Sequence, residues 1–385
     1  MRKKLILALI LLSVIFQNCK KNSNPPPPQL KPALVKTGGV QVIMADNYLG
    51  LQYFPDETLT VIRGNSTNAY RALAAAAIST YLIQGPSDTN ITSAALALTK
   101  GAAGSYDNGY AGISGAYYHT DNKLYAIYHG EDQEGMPPVG GGIPGFYCSV
   151  CLAVSTDNGA SFSKSGPIIT SQKPKSWDAY PGQADKGAGE PYCAASRDGK
   201  YLYAYYTEHS RVNNRGVQIC MARCDVSTGA PLPGRWYKYY NGAFSEAGIG
   251  GLDTPVMSAD FMDNSEALEP FVDYSPYLGR YVMIFGIDHY KEWLNITSPV
   301  PDKCGIYTAY SEDGITWGKP DQQVIKDFSV PITGMSLSWH GMVIWDDAQK
   351  REGLMIWSYS ERWGHTADGN VPHYMVGQRV RFDLQ

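Results

Sequence analysis

Leu124-Tyr125-Ala126-Ile127-Tyr128, Leu202-Tyr203-Ala204-Tyr205-Tyr206, Val282-Met283-Ile284-Phe285-Gly286 and Leu354-Met355-Ile356-Trp357-Ser358 are four versions of one apolar-aromatic run, and their starts recur every 72 to 80 residues. Each is the second half of a hairpin. The hairpins span Ile113–Glu131, Glu190–His209, Glu269–His289 and His340–Glu361, with turns at Asp121-Asn122-Lys123, Asp198-Gly199-Lys200, Leu278-Gly279-Arg280 and Lys350-Arg351-Glu352-Gly353. A unit that recurs at this period means an array of like modules.

The runs are short, rich in Tyr, Ile, Val, Phe and Trp, and bounded by Gly, Asp and Asn, so they read as strands. A third strand follows each of the first three hairpins, at Cys148–Ser155, Val217–Cys224 and Cys304–Ser311, and Gly166–Thr170 reads as a fourth. Four antiparallel strands per unit, repeated radially, describe a β-propeller blade. Four units fill the chain from about residue 100 onward. Residues 33–100 leave room for one more, with strands expected at Leu59–Ile62 and Thr80–Ile83. The expected fold is therefore all-β, a five-bladed β-propeller of four-stranded antiparallel blades. Ala69–Ile78 is the ambiguous stretch, because its alanines suit a helix equally well.

Composition agrees with a turn-dense globular chain: 12% aromatic, 18% charged and 40 glycines among 385 residues. Arg2, Lys3 and Lys4 precede the apolar run Leu5–Phe16, which is too short to span a bilayer comfortably and reads as an export signal. Cys19 follows at once, and a signal that ends in Cys resembles that of a bacterial lipoprotein. The expectation is a signal peptide over residues 1–18, then a lipid-anchored spacer over 19–32, then one propeller domain over 33–385. Pro25–Pro28 favours extended polyproline II, a semi-rigid spacer suited to holding a domain off a membrane. The expected location is the cell envelope, periplasmic or surface-exposed. The formal net charge is −4, and −7 without Arg2, Lys3 and Lys4, with no basic block; nucleic acid is not an expected partner. Six cysteines remain: Cys148, Cys151, Cys193, Cys220, Cys224 and Cys304. Cys148 and Cys151 stand three apart on a strand and face opposite ways, which argues against a shared metal. Most of the six read as buried small hydrophobes, with a Cys193–Cys220 cross-strand disulfide left open.

In a propeller blade the first strand lines the central channel and the second returns beside it, so first-strand starts and second-strand ends share a rim. The starts carry Asp107, Glu190, Glu269 and His340. The ends carry His129, Glu131, Asp132, Glu208, His209, Asp288, His289, Glu361 and Arg362. Strand ends are polar in any case, but repetition of acids and imidazoles at equivalent positions points to a working site, where close charges shift pKa values apart. Gly189-Glu190-Pro191 and Leu268-Glu269-Pro270 add a constraint, since proline pushes the residue before it toward extended geometry.

Ser155–Phe162 fits the Asp-box pattern S-x-D-x-G-x-x-F/W, and Ser311–Trp317 is the same idea one residue shorter. Their Asp and Gly residues suit structural turns. With these turns, five units and rim acids, the chain resembles the five-bladed propeller glycoside hydrolases, the group of the arabinanase, levanase and mannoside-phosphorylase families. That resemblance implies a glycosidase acting on an oligo- or polysaccharide through paired carboxylates. It places Asp107 as base, Glu190 as the residue tuning the acid (where the family has Asp), and Glu269 as acid, with Glu131 and Glu190 as the next pairing. His129, Asp132, Glu208, His209, Asp288, His289 and His340 would contact substrate. Trp177, Trp339 and Trp363 would offer stacking platforms. Such propellers often hold Ca²⁺ in the channel through carbonyls, waters and a carboxylate or His; no ligands are assigned to it here, and no other cofactor is expected. The rival function is a non-catalytic glycan-binding propeller on the cell surface. A sialidase-like hydrolase ranks third, because Arg197, Arg280 and Arg362 do not fall at equivalent rim positions.

If Cys19 carries a lipid, Cys19→Ala should move the full-length protein from the membrane fraction to the soluble fraction. A variant that still fractionates with lipid removes the anchor.

Overall fold

The computed structural model describes residues 30–45, 49, 58–76, 78–88, 90–136, 145–175, 185–210, 217–258, 266–288, 304–326, 337–360 and 373–385. These residues are all-β, with 22 strands and no α-helix. The strands are β1 (Pro32–Lys36), β2 (Gln41–Ala45), β3 (Leu59–Ile62), β4 (Tyr70–Ala76), β5 (Ser79–Gly85) and β6 (Ser93–Leu98). Next come β7 (Tyr110–Tyr118), β8 (Leu124–Asp132), β9 (Phe146–Ser155), β10 (Ser163–Ile169), β11 (Asp185–Ala195), β12 (Tyr201–Glu208), β13 (Gln218–Asp225), β14 (Trp236–Tyr240) and β15 (Ala243–Ala247). The last are β16 (Glu266–Ser275), β17 (Arg280–Asp288), β18 (Gly305–Ser311), β19 (Gln322–Lys326), β20 (Leu337–Trp345), β21 (Glu352–Ser360) and β22 (His373–Leu384).

Strands pair with their chain neighbours in antiparallel meanders. β3–β6 form one sheet and β16–β19 another. A nine-stranded sheet joins the meanders β7–β10 and β11–β15 through a short parallel pairing of Asp185–Gly187 with Phe146–Cys148. The last sheet contains β20, β21 and β22, and its outer edge is supplied by β1 and β2, which run end to end along β22. The Ala-rich stretch is a strand, β4, buried along nearly its whole length. Burial between sheets overrides alanine's helix preference there. Residues 33–100 do not form one unit: β1 and β2 complete the last sheet, and only the segment from β3 to β6 forms its own.

The central strands are buried on both faces. β8, for example, is buried from Leu124 through Gly130, and β18 throughout. Packing between layers explains why the sequence shows continuous apolar runs rather than alternation. The outer strands β6 and β15 are mostly exposed or half-exposed. The core forms four clusters between successive meanders. One joins β3–β6 to β7–β9, a second joins β7–β10 to β11–β14, and a third joins β11–β14 to β16–β18. The largest links β16–β19, the last sheet and the β3–β6 sheet. This arrangement is propeller-like.

The hairpin turns behave as their residues dictate. Ser155 Oγ accepts the Gly159 N–H at 2.8 Å, and Asp157 Oδ1 accepts the Ser161 N–H at 2.9 Å. Ser311 Oγ accepts the Gly314 N–H at 2.9 Å, and Asp313 Oδ1 accepts the Thr316 N–H at 2.7 Å. Gly159 and Gly314 sit at φ 87° and 74°, where a Cβ would be strained. The six described cysteines are buried and form no disulfide. Cys193 lies opposite Ala204 and Cys220 opposite Tyr206, so the Cys193–Cys220 disulfide does not form.

The N-terminal strand is locked by its neighbours. Gln322 donates to the Leu34 carbonyl at 3.0 Å and accepts the Leu34 N–H at 3.1 Å. Phe382, fully buried on β22, packs against Trp345 with ring centroids 5.3 Å apart. Phe382→Ala should therefore cost about 3–5 kcal/mol in urea denaturation. The same change at Leu96, which is 54% exposed, should stay within about 0.5 kcal/mol. Equal effects at the two positions would contradict this closure.

Candidate active site

Four first strands carry an irregularity at matching places. The register shifts between Ile113 and Gly115 on β7, Gly189 and Tyr192 on β11, Leu268 and Phe271 on β16, and Trp339 and Met342 on β20. These are β-bulges, which re-aim a side chain and free a backbone group from the ladder. Glu190, Glu269 and His340 sit in the bulges at φ 47°, 56° and 52°. Positive φ at a non-glycine residue costs on the order of 1–3 kcal/mol and gathers at functional sites. The extended geometry expected for Glu190 and Glu269 before proline is thus corrected. Each bulge places two residues against one, and that constraint outweighs the local preference.

The four bulges and the residue before β3 each bring one polar residue to a single pocket. Thr58, just before β3, joins Ser114, Glu190, Glu269 and His340, with Tyr192, Phe271 and Met342 beside them. The void enclosed by these residues measures about 10 Å³. That is close to the least space a water needs. The described residues thus form a floor on which polar groups converge.

Each freed N–H finds a side chain on a neighbouring strand. Ile113 N–H donates to Thr80 Oγ1 at 2.9 Å, Glu190 N–H to His129 Nδ1 at 2.8 Å, and Glu269 N–H to Thr207 Oγ1 at 3.0 Å. His129 and Thr207 stand opposite Gly112 and Gly189, and the corresponding residue opposite Leu268 is Gly286. Gly286 has no side chain to offer. The Glu269 carboxylate lies against it instead and accepts the His340 N–H at 2.8 Å.

Imidazoles surround the two carboxylates. Glu190 Oε2 accepts the Thr207 hydroxyl at 2.9 Å and lies 3.5 Å from His209 Nε2. Burial pushes the Glu190 carboxyl up, but the charge and hydrogen bond of His209, followed by the charge of His340, outweigh it and bring the value down to about 2. Glu269 Oε1 lies 3.8 Å from His340 Nε2. The Glu190 N–H occupies the Nδ1 lone pair of His129. Its ring proton therefore sits on Nε2, facing Glu131 Oε1 at 3.2 Å. Glu131 is held in turn by Gln133 Nε2 at 2.9 Å, one imidazole away from Glu190.

Other expected site residues lie elsewhere. Asp107 is 1% exposed and is bound by Lys164, by Tyr128 Oη at 3.1 Å and by Ser105 Oγ at 3.1 Å. It lies against β8 and β10 and is not among the residues lining the pocket. Glu208 also lies outside the pocket lining. It is buried, and its Oε1 accepts from Ser171 Oγ at 2.8 Å and the Ser210 N–H at 3.0 Å. Burial, then the nearby Asp253 carboxylate, push its pKa up to about 7. Asp253 itself pairs with fully buried Lys238 at 3.0 Å. Asp132 serves its own loop, accepting from Asn108 at 2.7 Å and Lys175 at 2.8 Å. Trp339 is half-buried on β20 opposite Ser358, and Asp288 ends β17 opposite Glu266. Cys19, Trp177, His289 and Trp363 lie outside the described residues. Sequence reasoning missed Thr58, Ser114 and Thr207, whose small hydroxyls carry no signal apart from their register. Among the described residues no three His, Cys, Asp or Glu side chains converge to hold a metal ion.

No family model matches the chain, and no curated protein does. Solved structures do resemble it. A mutant of the α-L-arabinofuranosidase of Fusarium graminearum, solved with an iminosugar inhibitor, superposes with a TM-score of 0.51 at 8% identity, covering 90% of this chain and 98% of that one. A family 117 glycoside hydrolase produced by the marine bacterium Zobellia galactanivorans gives 0.50 at 12% identity, covering 93% and 91%. At such identities the likeness shows the fold.

A carboxyl depressed in the folded state adds stability that is complete above its ordinary pKa and is lost as pH falls through the folded value. For Glu190 the window runs from 4.5 down to about 2. Thermal melts between these limits should show a smaller acid-dependent loss for Glu190→Gln than for the wild type. Parallel curves would mean that the imidazoles do not hold Glu190 ionised.

Proposed function

We propose that this chain is a five-bladed β-propeller glycoside hydrolase acting on an oligo- or polysaccharide. In this reading each meander is a blade, and β1 with β2 forms the outer strand of the last. The carrying observation is that Glu190 and Glu269, from successive first strands, are aimed into one pocket by matching bulges, each beside an imidazole. Glycoside hydrolysis needs two carboxyl groups flanking the scissile bond, one protonating the leaving oxygen and one ionised. Glu190, held near 2, suits the ionised role, activating water or stabilising positive charge on the sugar. Glu269 is the other carboxyl at the pocket and takes the role of acid. His129, His209 and His340 position the pair. Lipidation at Cys19 would tether the enzyme to the cell envelope, with the Pro-rich segment as spacer.

One observation favours a second reading, a glycan-binding propeller without turnover. Glu269 Oε2 accepts a main-chain N–H and Glu190 Oε2 accepts a threonine hydroxyl, both roles that a purely structural carboxylate could fill. A panel of aryl glycosides and polysaccharides separates the two. Glu190→Gln and Glu269→Gln should each lower kcat by about 10²- to 10⁴-fold while the fold is kept. Glycan binding with no turnover, unchanged by both substitutions, would establish the binding-only function.

A further inference from the structure

The β14–β15 hairpin adds a fifth strand to a meander that needs only four, and with β12 and β13 it walls a pocket of about 430 Å³. The lining includes Tyr201, Arg223, Asp225, Arg235, Tyr237 and Phe244, none of which reaches the Glu190–Glu269 pocket. Arg223 is its centre. Its guanidinium carbon lies 4.1 Å from the Tyr201 ring centroid and 4.2 Å from that of Phe244. Stacking of this kind fixes the guanidinium plane while leaving its in-plane N–H donors available. Arg223 makes no hydrogen bond or ion pair among the described residues, whereas Arg235 spends its donors on Ala230, Asp225 and Thr228. Tyr237 presents a ring that is 49% exposed. Asp225 uses Oδ1 on the Ser227 N–H and hydroxyl, at 3.0 and 2.6 Å, and this orients Oδ2 as a further acceptor. Lys200, with Nζ 5.0 Å from the Tyr201 ring, adds positive charge.

We propose that this pocket is a second carbohydrate-binding site, separate from the channel, that takes a uronic acid residue. The arginine fork matches a planar carboxylate with two parallel hydrogen bonds. The Tyr237 ring covers a sugar face, and Asp225 accepts a sugar hydroxyl. Two sites on one rigid scaffold would hold a polymer by local concentration as well as by contact.

The test is calorimetric titration of the full chain with tetragalacturonate, a neutral tetrasaccharide and a sulfated tetrasaccharide. Tetragalacturonate should bind best, and more weakly as salt is raised. Arg223→Lys, which keeps the charge but loses the fork, should weaken binding by about tenfold or more. Tyr237→Ala, at an exposed position, should weaken it with no change in melting temperature. Absence of tetragalacturonate binding overturns the proposal, as does equal or tighter binding of the neutral or sulfated sugar. So does unchanged affinity in both pocket variants.

Discussion

A bulge in a first strand frees one main-chain N–H in a place where water has little access, and the centre of this molecule is organised around satisfying that group. An unpaired buried N–H is costly. Here a side chain on an adjoining strand accepts it: Thr80, His129, Thr207 and, where Gly286 offers nothing, Glu269. One interaction thus joins successive meanders and sets the aim of the residues that face the pocket. Glu190 and Glu269 are held at an unfavourable φ by contacts on both sides, so their carboxylates are fixed before any ligand arrives. Preorganisation of this kind is what a charged site needs if it is to avoid rearranging when it works.

Burial alone would raise every carboxyl here; the sign of the neighbouring charge decides the outcome. Glu190 and Glu208 lie on adjoining, paired strands in similarly dry surroundings. Glu190 faces His209 and is pulled down to about 2, while Glu208 faces Asp253 and is pushed up to about 7. The side of the strand from which each side chain leaves decides which partner it meets. Adjacent residues on one strand, such as Thr207 and Glu208, accordingly belong to different chemistries.

The hairpins were legible because apolar runs and turn residues are local signals. β8, β12, β17 and β21 begin within about two residues of the runs read from the sequence. The pairing of β1 and β2 with β22 was not legible, since no pattern in residues 32–45 reveals a partner more than three hundred positions away. The Ala-rich β4 became a strand only through packing. At the site, repetition correctly singled out Glu190, Glu269 and His340 as equivalent positions, but not the bulges that aim them. Asp107 fitted the order of acids along the chain, yet Lys164 captures it through a contact 57 residues distant. Ion pairs at that separation leave no trace in spacing.

The completion of the last sheet by the first strands also bears on the order of events during synthesis. β21 gains its outer neighbour only when β22 has emerged, and β22 only when β1 and β2 have returned to meet it. Until then a segment from each end of the domain presents unpaired strand edges, which are templates for misassociation. Pairing across such a separation carries a large loop-closure cost before any contact repays it, and it is correspondingly slow. Truncation late in translation would leave earlier meanders able to form while the last sheet stayed incomplete. A chain built this way favours holding the unfolded polypeptide until its last strand is available.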